Sequence, residues 1–138
     1  MIRTLAKEIK EFKAASIATP FYMVLEVLME MIIPFLMASI IDKGVNAGDM
    51  QYIFKTGGFM IVFAVIGLLA GLAGGRYGAK ASTGLARNLR ETMFNNIQTF
   101  SFSNIDKYST AGLVTRLTTD VNNVQMAYQM LLRMFVRA

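Results

Sequence analysis

Apolar and polar positions alternate along this chain in several distinct regimes. From Met1 to Lys13, Ile2, Leu5, Ile9 and Phe12 recur at spacings of three and four, with Arg3, Lys7, Lys10 and Lys13 around them. That spacing predicts an amphipathic helix, able to lie among lipid headgroups or to stand as a plain polar-side helix. Thr19-Pro20 reads as an N-cap followed by a first helical position. Pro20 to Ile41 is then apolar for long enough to cross a bilayer, at about 1.5 Å per residue against a core of roughly 30 Å. Asp42 and Gly44 mark its end, Gly44 as a C-cap. Gly44 to Lys55 is a short polar link, too short for a domain. Thr56 to Gly75 is a second apolar run without charge. Beyond it the helical pattern persists in polar form to about Gln98, with Leu85, Leu89, Met93 and Ile97 recurring every fourth residue.

The stretch from Phe102 to Asp120 is polar yet lies between two helix-forming segments. Ser, Thr and Asn cluster in its first half, which favours turns and caps. Ser109 suits the N-cap of a short helix beginning at Thr110. Leu113, Val114 and Leu117 share one side of that helix, so an apolar face is free to dock. An ordinary helix-loop-helix turn accounts for the same pattern. From Asp120 onward Val121, Val124, Tyr128, Leu131, Leu132 and Phe135 form a further apolar stripe. Arg133 and Arg137 keep this piece outside the bilayer.

Composition places the chain in the membrane class: 54% of residues are apolar and 17% charged. Its net charge of +5 lies mostly beside the apolar runs. Arg76, Lys80, Arg87 and Arg90, with the basic N-terminus, outweigh Lys43 and Lys55 of the link. Both ends of the hairpin are therefore expected in the cytoplasm, with the link outside. The first run lacks a small-residue cleavage pattern at Ile40-Ile41-Asp42-Lys43, so it reads as an uncleaved span rather than a signal peptide. A basic face with stacking aromatics, as nucleic-acid binding needs, is missing from the pattern. There is no Cys and no His, which excludes disulfides, Cys/His metal sites and Ser-His or Cys-His catalysis.

Two acids interrupt the first span. Glu26 and Glu30 are four apart and share a helix face. At this depth a carboxylate costs about 2.5–3.5 kcal/mol on an insertion scale, so both are expected to face a water-filled cavity or a partner. They could form a site for cationic or polar substrates, a gate contact, or a buried interhelical hydrogen bond. Pro34, four beyond Glu30, removes one ladder bond and predicts a kink. In the second span Gly67, Gly71 and Gly75 are four apart, and Gly74 and Gly78 repeat the spacing, which allows helices to approach closely. These glycines lack the Lys-Ser/Thr ending of a phosphate loop. Met23, Met29, Met31 and Met37 could suit varied hydrophobic substrates or simply face lipid.

The run Asp106-Lys107-Tyr108-Ser109-Thr110, followed by Gly112-Leu113-Val114-Thr115-Arg116-Leu117-Thr118 and Asp120, resembles the first coupling helix of bacterial ABC exporters of the multidrug half-transporter type. The resemblance extends over the whole chain as the beginning of such a transmembrane domain. It implies an all-α fold: membrane helices with long cytoplasmic extensions and a short coupling helix. The division it implies is an elbow helix over 1–15, a first span over 16–42 and an external loop over 43–54. A second span with cytoplasmic extension covers 55–101, the coupling segment 102–118, and the cytoplasmic root of a third span 119–138. Tyr108, Ser109, Thr110, Gly112, Leu113, Val114, Arg116, Leu117 and Asp120 would dock on a nucleotide-binding domain. ATP and Mg2+ would bind in that domain, outside this chain, which holds no catalytic, cofactor or metal residue of its own.

The partners implied are membrane lipid, a nucleotide-binding domain, a second half-transporter and a small-molecule substrate (drug, lipid or peptide). The implied location is the cytoplasmic membrane, multi-pass, with the N-terminus inside. Because the last helix ends as it is about to enter the bilayer, a longer polypeptide is expected. A small two-span subunit of a larger membrane complex is the other reading, and a membrane-active peptide fits the long polar arms less well.

Overall fold

The computed structural model describes residues 8–99 and 109–134. A 3-10 turn at Lys10–Phe12 leads into α1, Lys13–Ser39, which continues through a π turn at Ile40–Val45. Residues 46–49 reverse the chain into α2, Met50–Gln98. The second half of the hairpin's partner structure is α3, Thr110–Thr115, a π turn at Arg116–Asp120, and α4, Val121–Met134. The described residues are all helical or in turns. α1 packs along α2, and α4 leans on α2 and to a lesser degree on α1.

Two helices are long and apolar enough to cross a membrane, Lys13–Val45 and Met50–Gln98. At about 1.5 Å per residue, the 49 residues of α2 extend for about 74 Å. That is more than twice a bilayer core of roughly 30 Å. Large apolar side chains cover the outside, with Ile17, Phe21, Phe35 and Phe54 all more than two-thirds exposed. Such a surface suits lipid or further helices rather than water.

The helix ends differ from those expected. Thr19 is no N-cap: α1 already begins at Lys13, and the Thr19 hydroxyl donates back to Ala15 O at 2.8 Å. Pro20 therefore sits inside the helix, where the lost ladder bond is offset by burial of Thr19 and Met23 against α2. At the other end Gly44 is not a C-cap either. It stays in the π turn, where a Cβ would stand 2.5 Å from Ile53 Cγ1. Its role is to let the turn close against α2, and Gly48, at φ +68, supplies the left-handed residue. Asp49 caps α2 by accepting from Tyr52 N–H at 3.0 Å. Helix thus occupies most of the expected 43–54 loop. Ser39 and Tyr52 close the hairpin through their hydroxyls, 2.6 Å apart.

The interface between α1 and α2 is built on small residues. Cβ atoms built at Gly67, Gly71, Gly74 and Gly78 would meet Met29, Glu26, Met23 and Thr19 in turn. The intervals of four, three and four follow one helical face. Gly75, expected to pack, instead faces open space; it stands about 100° around the helix from Gly74. Farther along, Gly84 receives the ring of Phe12, and Ala81, Ser82, Leu85 and Ala86 are buried beside it.

Candidate functional site

Two places carry polar groups that packing alone does not require. The first is the acid pair of α1. Glu26 lies over Gly71, its carboxylate oxygen 2.7 Å from where a Cβ would be, so the glycine makes room for the charge. Glu26 and Glu30 together line a cleft of about 180 Å3 between α1 and α2, with Met29, Phe63 and Gly67. Glu26 also lines a larger cleft of about 570 Å3 on the α4 side, with Met23, Met126, Met130, Gln129 and Arg133. Within α1 the acids share a face and a groove, Glu26 half-buried and Glu30 more exposed. Pro34 lies exposed within an α1 that runs unbroken to Ser39. Carboxylates among thioethers can accept hydrogen bonds from a cation or polar group whose apolar body rests on the methionines.

The second place is the segment beginning at Ser109. Its hydroxyl accepts from Gly112 N–H at 3.2 Å and so caps α3. Ser109 adopts φ 53, the one positive φ among described non-glycine residues. Tyr108 lies outside the described residues, as does the chain from 100 to 107. Thr110, Val114, Arg116 and Asp120 are exposed, while Gly112, Leu113 and Leu117 are half-covered. The expected separate short helix is not what forms. Thr110 to Met134 is one helical run, interrupted only by the π turn at Arg116–Asp120. Thr115 and Thr118 turn their hydroxyls onto Ala111 O and Val114 O, which holds the run together locally.

This run is tied to the rest of the bundle by residues that the sequence pattern did not single out. Arg90, on α2, donates from Nε to Leu117 O at 3.2 Å and from a terminal nitrogen to Asn122 Oδ1 at 2.6 Å. On the other side of the same turn, Asn88 Nδ2 donates to Glu8 O at 2.7 Å and Thr92 Oγ1 donates to Glu8 Oε2 at 3.0 Å. Tyr128 Oη donates to Ser16 Oγ at 2.8 Å, joining α4 to the start of α1. In the sequence Arg90 was legible only as one of a run of cations; an arginine with a long-range acceptor looks the same as one in water. Tyr22 and Tyr77 stack with centroids 5.5 Å apart where α1 and α2 leave the glycine ladder.

Residues 17–138 match the ABC transporter transmembrane region family. YfiB of Bacillus subtilis (strain 168), an uncharacterized ABC transporter ATP-binding protein, is 35% identical over 116 residues, covering 84% of this chain and 20% of YfiB. Uncharacterized ABC transporter ATP-binding proteins of Mycobacterium bovis and Mycobacterium tuberculosis are each 26% identical over all 138 residues, 24% of their own length. The chain thus spans between a fifth and a quarter of the length of these curated relatives. An all-helical hairpin with two membrane-length helices and a long polar extension agrees with the match, and the chain belongs to the ABC transporter transmembrane region family.

Proposed function

We propose that this chain forms the first part of the membrane domain of an ATP-driven exporter, moving hydrophobic or cationic small molecules outward as one half of a dimer. The observation that carries the reading is the family match over residues 17–138. Relatives named as ATP-binding proteins support association with a nucleotide-binding domain, where ATP and Mg2+ would act. The segment from Ser109 to Asp120 would be the docking element, presenting Leu113, Val114 and Leu117 to a groove of that domain. Arg116 and Asp120 would serve as polar anchors. Excess cations at Arg76, Lys80, Arg87 and Arg90 favour a cytoplasmic position for the far half of α2 and for the N-terminus. Glu26 and Glu30 would line the substrate path, with Pro34 supplying a bend beside them.

The test is ATP-dependent movement of the hydrophobic cation ethidium in inside-out membrane vesicles containing the product of the complete gene. Placing two charges on the docking face, Leu113→Asp with Leu117→Asp, should leave ATP hydrolysis within about twofold while export falls about tenfold, a loss of ~1.4 kcal/mol in coupling. Unchanged export in that double variant removes the docking role. Absence of ATP-dependent ethidium movement with the unaltered protein counts against the proposed cargo.

A further inference from the structure

We infer that Arg90 is a positioning residue that holds the Arg116–Asp120 π turn in register and so fixes the direction in which the docking face points. In a regular α-helix Val121 N–H would pair with Leu117 O. Here it donates to Thr118 O, so Leu117 O loses its regular donor. Arg90 Nε supplies one, at 3.2 Å. A terminal nitrogen of the same guanidinium reaches Asn122 Oδ1 at 2.6 Å. The two acceptors are five residues apart, the hydrogen-bonding interval of a π turn. A single planar fork therefore spans the turn from one side to the other, and its donors are fixed relative to each other. Lysine could satisfy one acceptor but not both in that geometry.

The strut is braced from behind. Asn88 and Thr92 stand one turn apart on α2, and both hold Glu8, through its carbonyl and its carboxylate. Arg90 lies between them in sequence and projects from about the opposite side of the helix. The turn of α2 that grips α3 and α4 is thus itself fixed to the N-terminal segment. Val121, 3% exposed, packs where the π turn joins α4. Rewinding the π turn to a regular α-helix would change the register by one residue. Leu113 and Leu117 would then swing about 100° around the axis relative to α4. Arg90 opposes that change by binding both sides of the turn. Its consequence for transport rests on the docking role proposed above; its consequence for the turn does not.

Amide hydrogen exchange across residues 109–126 decides it, measured on the complete protein in lipid nanodiscs for Arg90→Ala, Arg90→Lys and Asn122→Ala. Both Arg90 variants should exchange about tenfold faster at residues 116–122, the scale set by losing a charge-assisted hydrogen bond. Asn122→Ala should show a smaller increase, and adding it to Arg90→Ala should change nothing more, because both remove the same contact. In vesicles, ethidium exported per ATP hydrolysed should fall about tenfold for Arg90→Ala with hydrolysis within about twofold. Wild-type exchange at 116–122 in all three variants overturns the inference. If Arg90→Ala does not accumulate, Arg90→Lys and the exposed-site variant Asn122→Ala give the same decision. Should the unaltered protein fail to move ethidium, the exporter reading is what suffers, and exchange still decides the role of Arg90.

Discussion

Alanine replacements along one face of α2 should separate by what each new methyl group meets. At Gly75 there is open space, so Gly75→Ala keeps only the helix-propensity gain, about 0.8–1 kcal/mol. At Gly78 the methyl would sit 3.2 Å from Thr19 Cγ2. Thr19 is fully buried and held by its bond to Ala15 O, so it can yield only slightly. The propensity gain and the crowding should there roughly cancel. At Gly84 three ring atoms of Phe12 occupy the place of the new group. A ring cannot fold aside as a methionine tip can, so the N-terminal segment must shift. Overpacking of that kind costs about 1–3 kcal/mol, which leaves a net loss of about 0–2 kcal/mol after the propensity gain. Thermal unfolding of the complete protein in detergent micelles, followed by far-UV circular dichroism, should rank the variants Gly75→Ala above Gly78→Ala above Gly84→Ala. The outer two should differ by roughly 1–3 kcal/mol. A Gly75→Ala protein melting as low as Gly84→Ala would refute the assignment of the packing face, because it would place a close neighbour at Gly75.

Two further outcomes follow from the same contacts. Replacing Glu26 and Glu30 together by Gln should cut ethidium export about tenfold, ~1.4 kcal/mol, with ATP hydrolysis and melting little altered; Gly71→Ala, which displaces the Glu26 carboxylate, should show the same export defect. Equal export profiles for all three would make the acids a packing feature. At the start of α3, Ser109→Ala removes the cap and should cost about 0.5–2 kcal/mol in local stability, read by amide exchange at Thr110–Thr115. Ser109→Gly should cost less, because glycine accepts the positive φ without strain. An exchange pattern in which Gly is worse than Ala would contradict the observed backbone conformation.

Much of the fold was legible because the bilayer enforces a simple rule on sequence. Two charge-poor runs of membrane length can be read directly, and the four-residue recurrence of Leu85, Leu89, Met93 and Ile97 carries α2 on into its polar half. Helix ends were less legible, for a physical reason visible at Thr19-Pro20. Thr followed by Pro is as compatible with a cap as with a helix interior, and only packing across the hairpin decides. Gly44 posed the same ambiguity, since glycine serves both a left-handed turn and a close contact, and here the contact took Gly44 while Gly48 took the turn. The glycine ladder shows how small the difference can be. Spacings of four from Gly67 lead to Gly75, but a face followed over three turns alternates four with three and leads to Gly74 and Gly78.

The candidate sites divide along the same line. Glu26 and Glu30 announce themselves because a charge inside an apolar run needs a reason. The Ser109 cap was readable because its bond to Gly112 is local. Arg90 and Glu8 are found only through partners 27 and 84 residues away, and no local pattern encodes such a pairing. The π turn at Arg116–Asp120 is equally silent in sequence, because its geometry is completed by a guanidinium from another helix. Where a short helix departs from ideal form and a distant side chain supplies the missing donor, the departure is a property of the assembled bundle. That makes the α2–α3 junction the place where a change in the membrane helices can alter the direction of the docking face without unfolding either.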